Sequence, residues 1–194
     1  MMKSNILIVN GHPDAQSFCS ALAAAYREGA ESSRANVREI ALGEIRFEPI
    51  LKFGYRKRME LEESLLKAQE DIAWADHLVF VYPTWWGSMP ALLKGFFDRV
   101  FLPGFAFKYR DNSSLWDKLL KGKTARLIVT TDTPSWYNRL VYRNAGHGVI
   151  RKNILQFCGI APVKVTDIGP VRPSSADRRA KWLEKVKRLG AARA

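Results

Sequence analysis

Ile6-Leu7-Ile8-Val9-Asn10-Gly11 decides the reading of this chain. Four apolar residues in unbroken succession, three of them β-branched and halted by Asn-Gly, form the pattern of a strand buried on both faces. Leu78-Val79-Phe80-Val81, Leu127-Ile128-Val129 and Val163-Lys164-Val165 repeat it, and Val37 to Ile40 is a weaker fifth member. Between these runs, apolar residues return to one face at helical spacing. They are Phe18, Leu22, Ala25 and Tyr26; then Leu61, Leu65 and Ile72; then Leu92, Leu93, Phe96, Phe97, Val100 and Phe101; and near the end Trp182, Val186 and Leu189. Strands that alternate with helices need right-handed crossovers, which predicts an α/β chain with a doubly wound, five-stranded parallel sheet and helices on both faces.

At 194 residues the chain fits one domain, residues 1–194. Phe47 to Tyr55 and Pro103 to Trp116 read as long connections within it. The hydrophobic share of 47% and charged share of 26% are those of a folded chain rather than a disordered one. Met1 to Val9 lacks the core of a secretory signal, and no apolar stretch reaches membrane-spanning length, so a cytoplasmic location is expected. Cys19 and Cys158 are too far apart in sequence to suggest a disulfide framework, and His12, His77 and His147 are too scattered for a metal site. The net charge of +12 admits nucleic acid, anionic membranes or phosphorylated ligands. The basic residues of the last helix, Arg178 to Arg188, read as a solvated face.

In a doubly wound sheet, ligands bind beyond the carboxyl ends of the strands where strand order reverses, and three loops lie there. Gly11-His12-Pro13-Asp14-Ala15-Gln16-Ser17 leads into a helix whose first turn, Ser17-Phe18-Cys19, offers free N–H groups to a phosphate, with His12 as a ring donor. Ser17 equally reads as a plain N-cap. The loop has neither the three-glycine dinucleotide fingerprint nor the lysine of a phosphate loop. Pro83-Thr84-Trp85-Trp86-Gly87-Ser88-Met89-Pro90 places two neighbouring indoles at a strand end. A flat ligand such as an isoalloxazine ring would cover them, and capping of the core is the plainer alternative. Thr130-Thr131-Asp132-Thr133-Pro134-Ser135-Trp136-Tyr137 concentrates hydroxyls, beside another indole and a phenol, able to meet the charged edge of a reduced ring, and Asp132 and Pro134 are also the makings of a turn. These aromatic loops fit a flavin better than a nucleic acid.

His12 with Ser17-Phe18, Pro83 through Gly87 followed by Pro90-Ala91-Leu92-Leu93-Lys94-Gly95-Phe96-Phe97-Asp98-Arg99-Val100-Phe101, Thr130-Thr131, and Phe157-Cys158-Gly159 together resemble the NAD(P)H quinone dehydrogenase family. This is the flavodoxin-like group of mammalian quinone reductases, bacterial modulators of drug activity and ancillary subunits of potassium efflux systems. The similarity runs from about Ile6 to Ile168, and Pro83 to Phe101 is its most specific part.

The resemblance implies a flavodoxin-like sheet of order 2-1-3-4-5 and a homodimer that binds FMN or FAD. NAD(P)H and a quinone-like acceptor would react in turn by a ping-pong mechanism. It places His12, Ser17, Phe18 and Cys19 at the phosphate and ribityl chain, and Pro83, Thr84, Trp85, Trp86, Gly87, Thr130, Thr131 and Asp132 around the ring. Tyr137 and His147 match the phenol and imidazole that offset charge on the reduced ring. Asp132-Thr133 stands where the family has a glycine pair, and the absence of a long C-terminal extension favours FMN over FAD. An alternative within the same family is a flavin-binding regulatory subunit of a membrane transporter.

Overall fold

The structure, a computed structural model, describes residues 4–192, apart from the side chains of Ser135 and Arg139. Met1 to Lys3, the start of the segment expected to carry no targeting signal, lie outside the described residues. Strand β1 (Asn5–Asn10) runs inside a parallel sheet, between β2 (Asn36–Ala41) and β3 (His77–Pro83). Beyond β3 come β6 (Thr124–Thr130) and β7 (Val163–Ile168), so the order is β2-β1-β3-β6-β7. This is the order 2-1-3-4-5 with the fourth and fifth sheet strands renumbered around a hairpin, β4 (Phe107–Tyr109) and β5 (Trp116–Lys118).

Alternation along the strands divides the core into two layers. Ile6, Ile8, Val79, Val81 and Ile128 face one side, where α1 (Phe18–Ser32) and α6 (Ala176–Ala191) cover them with Leu22, Tyr26 and Val186. Leu7, Val9, Leu78, Phe80, Leu127 and Val129 face the other, against Leu65 and Ile72 of α2 (Glu63–Trp74) and Phe96 and Phe97 of α3 (Ala91–Val100). Leu61 precedes α2 rather than belonging to it.

Two stretches differ from the sequence expectation. The connection from Pro103 to Trp116 folds into much of the β4–β5 hairpin, which is anchored by Trp116 stacked on Phe157 at 4.4 Å. The end of the third functional loop, Ser135 to Tyr137, and the segment after it are helical: α4 (Ser135–Leu140), α5 (Ala145–Gly148) and a π-helix (Val149–Gln156) that packs Ile150 and Leu155 into the core. No single 3.6-residue period runs through Pro134, Asn144, Gly146 and Gly148, so the pattern gives no helical signal.

The long connection before α2 is tied down by Arg99, which is buried in α3. It donates to the backbone oxygens of Glu48 and Glu60 and pairs with the Glu62 carboxylate at 2.8 Å.

Candidate functional site

The first loop is built around Asn10. Its Nδ2 donates to Ser20 Oγ at 2.9 Å, while its Oδ1 accepts the His12 backbone N–H at 3.1 Å. His12 Nδ1 in turn accepts the Asp14 N–H at 3.0 Å, which leaves Nε2 as the ring nitrogen that carries the proton. Ser17 is the N-cap of α1: its hydroxyl accepts the Ser20 N–H. The N–H groups of Phe18 and Cys19 have no intrahelical acceptor, so they remain for an anion at the positive end of the helix. The N-cap and phosphate readings of Ser17 are therefore compatible.

In the second loop, Thr84 is fastened to β6 by its N–H on Thr130 O at 2.7 Å. Trp85 and Ser88 exchange backbone hydrogen bonds of 2.9 and 3.0 Å around a two-residue turn, with Trp86 and Gly87 at φ 50° and 72°. Such turns favour residues that tolerate positive φ, and a tryptophan there is unusual. The turn separates the two indoles. Trp85 is half-exposed and meets His12 edge-on at 5.5 Å, whereas Trp86 is fully exposed. Gly146 of α5 packs directly on this turn, where an added Cβ would stand 2.3 Å from Gly87 O.

In the third loop, Thr131 donates its N–H to Ile168 O at 3.0 Å and accepts the Thr133 N–H on its hydroxyl at 3.1 Å. Asp132 Oδ1 accepts the Arg172 N–H at 2.7 Å, and Thr131 O accepts that of Val171 at 3.1 Å. The loop after β7 is thus bound to the loop after β6. Cys19 Sγ lies 3.3 Å from Thr130 Oγ1 across the floor; burial pushes its thiol up to about 11, with the Thr130 bond opposing the rise.

These loops enclose one open cleft of about 230 Å³. His12, Phe18 and Cys19 line it from the first loop, Pro83, Thr84 and Trp85 from the second, and Thr130, Thr131 and Asp132 from the third. Ser17 acts beside it as the cap, and Trp86 and Gly87 lie outside its lining. Val171 and Arg172 line it as well, although the sequence reading did not single them out. The rule that points to strand ends applies equally to the loop after β7, and that signal could have found them.

His147 is buried, with Nε2 2.8 Å from Asp167 Oδ1. It lines a small neighbouring cavity together with Thr84, Gly87, Asn138 and Tyr142, so Thr84 borders both spaces. Tyr137 is not part of the cleft lining; its ring stands edge-on to Trp136 at 5.5 Å and to Tyr142 at 5.2 Å. Tyr142 is the phenol that borders the cavity with His147. A larger cavity, about 550 Å³, lies elsewhere, among Phe97, Phe101, Phe107, Tyr109 and Phe157, away from the strand ends. Among the described residues no cluster of His, Cys, Asp or Glu is arranged to hold a metal ion.

A family model described as a flavodoxin-like fold matches residues 4–190. The chain belongs to the flavodoxin-like family. Within that family it is 30% identical to an uncharacterized NAD(P)H oxidoreductase of Haemophilus influenzae, over 86% of this chain and 84% of the relative. The solved NAD(P)H:quinone oxidoreductase of Methanothermobacter marburgensis shares the fold with a TM-score of 0.84 and 22% identity, covering 100% of both chains. An FMN-dependent NADH-azoreductase of Bacillus anthracis, solved with FMN, shares it with a TM-score of 0.74 and 19% identity, over 98% of each chain. In this flavodoxin-like chain the cleft occupies the carboxyl ends of β1, β3, β6 and β7, where the fold places ligands.

The donor set fits a flavin nucleotide. Free N–H groups at a helix start suit a phosphate, and the Thr130 and Thr131 hydroxyls suit the polar edge of the ring. Trp85 offers an indole beside them.

Proposed function

We propose that this chain is a flavin-dependent NAD(P)H oxidoreductase with a quinone-like acceptor, FMN as its cofactor and FAD as the alternative. One observation carries the proposal: three loops from separate strands place phosphate-binding N–H groups, hydroxyl donors and an indole around a single cleft. When bound, a flavin would supply two-electron chemistry between NAD(P)H and the acceptor, in alternate, ping-pong half-reactions. The names of the Haemophilus and Methanothermobacter proteins and the FMN of the Bacillus enzyme support the reading.

The protein's own part is to bind, orient and manage protons. The first turn of α1 holds the phosphate, with His12 Nε2 as a further donor. Thr84, Thr130 and Thr131 hold the polar edge of the ring, and Trp85 borders it. With Nε2 engaged by Asp167, Nδ1 of His147 is the atom free to take or give a proton, and the Tyr137 or Tyr142 hydroxyl is its phenolic counterpart. The same reading includes a cytoplasmic homodimer. Support for the dimer is the run of exposed Trp136, Leu140, Val141 and Tyr142, with the bare Trp86, together with the aromatic hollow beside the hairpin.

The test is the absorbance spectrum of the purified protein, followed without oxygen by addition of NADH or NADPH and then a quinone. Flavin bands that bleach with the nucleotide and return with the quinone are the expected result. No flavin uptake from FMN or FAD would remove the proposal, and tightly held flavin without turnover on any acceptor would favour the transporter-subunit alternative.

A further inference from the structure

Arg172 stands in the wall of the cleft, in the company of Phe18, Cys19 and Thr131. Its backbone is clamped by the Asp132 carboxylate at 2.7 Å, and its neighbour Val171 by Thr131 O at 3.1 Å. From the other side, Arg179 of α6 braces the loop, with Nε on Ser174 Oγ at 3.0 Å and Nη2 on Val171 O at 3.3 Å. The Arg179 guanidinium lies 5.9 Å from the Phe18 ring centre, so a second cation stands above the start of α1. Among the described residues, the Arg172 guanidinium has no carboxylate partner, and Asp132 is the one carboxylate in the cleft lining. The arrangement therefore holds in place the backbone that carries a cation, beside unsatisfied helix N–H groups. A guanidinium suits the forked oxygens of a phosphoryl group, and prior ordering of the loop that carries it lowers the entropy lost on binding.

From this geometry we infer that Arg172, presented by Asp132, recognises the phosphoryl group of the flavin nucleotide, so that the cleft selects phosphorylated flavin over riboflavin. The inference rests on the flavin reading above. It also gives the departure at Asp132 a purpose: a glycine has no side-chain oxygen with which to hold the Arg172 N–H. Arg172 is the binding residue here and Asp132 a positioning residue.

Calorimetric titration of the flavin-free protein with FMN, FAD and riboflavin tests it. Arg172→Gln is expected to weaken FMN and FAD binding about 10- to 100-fold, the range for a charged hydrogen bond, and to leave riboflavin binding unchanged. Its FMN affinity should also depend less on salt than that of the native protein. Asp132→Ala should shift the FMN-to-riboflavin ratio in the same direction, and Asp132→Asn, which keeps Oδ1 as an acceptor, should restore it. Equal weakening of FMN and riboflavin in Arg172→Gln, or no weakening of FMN, would overturn the inference and leave the flavin reading intact. A native protein that binds none of the three would overturn both.

Discussion

His147 Nε2 lies 2.8 Å from Asp167 Oδ1, so an edge strand of the sheet fixes an imidazole carried by a four-residue helix. A short helix gives little rigidity of its own, and the close contact with Asp167 ties it to the sheet. If the free Nδ1 handles a proton during flavin reduction, His147→Ala slows bleaching of the flavin by NAD(P)H about 100-fold. Asp167→Asn, which loosens the ring without removing it, slows bleaching by a smaller factor. Stopped-flow traces that superimpose on the native ones would rule the imidazole out of the chemistry.

Gly146 and Gly148 make a matched pair for testing the contact between α5 and the Trp86-Gly87 turn. A Cβ at Gly146 would meet Gly87 O at 2.3 Å, whereas one at Gly148 meets nothing within 4 Å. Gly146→Ala is expected to destabilise the fold by about 1–3 kcal/mol through forced displacement of backbone. Gly148→Ala should be neutral or mildly stabilising, since alanine restricts the unfolded chain more than glycine does. Urea unfolding compares them, and equal midpoints would show that the turn yields freely.

His77 carries a pH dependence of stability. It opens β3, with its Nδ1 2.7 Å from Thr124 Oγ1, and burial, then the positive charges of Arg126 and Lys164, hold it down at about 4 from an ordinary 6.5. Between these values the unfolded chain takes up a proton that the folded chain refuses. Stability is therefore complete above pH 6.5 and falls as pH drops toward 4, by up to about 3 kcal/mol. Urea midpoints measured across that range should drop less steeply in His77→Gln; parallel curves for the two proteins would contradict this.

Both thiols should be inert in the native protein. Burial pushes Cys19 to about 11 and Cys158 to about 12, which leaves almost no thiolate near neutral pH. Iodoacetamide is expected to label neither site until denaturant is added, and then both. Rapid modification of Cys19 in the folded protein would mean that the cleft floor opens to solvent.

The three central strands are legible in the sequence because a strand covered on both faces must be apolar at every position. Ile6 to Val9, Leu78 to Val81 and Leu127 to Val129 leave no other reading. The same reasoning finds His12, Trp85 and Thr131, which sit at the ends of those strands. It does not find Tyr142 or Arg172. Tyr142 reaches its cavity only because the chain around it folds into short helices without a common period, and Arg172 only because Asp132 draws its loop inward. The separation of Trp85 from Trp86 is likewise set by a turn geometry that the dipeptide does not announce, since an indole at positive φ is contrary to local preference.

The two outer strands of the sheet have a consequence for how copies of the chain can meet. An open sheet edge is a template for further strands, and a charged side chain at the rim is a common obstacle to such growth. Here β2 exposes Arg38, held by Asp71 at 2.7 Å, and β7 exposes Lys164 and Asp167. Lateral fusion of sheets into a continuous ribbon would bury these charges against their own copies. Concentrated protein should therefore form finite particles through its aromatic surfaces, and fibrils would have to begin from molecules that have already lost an edge strand.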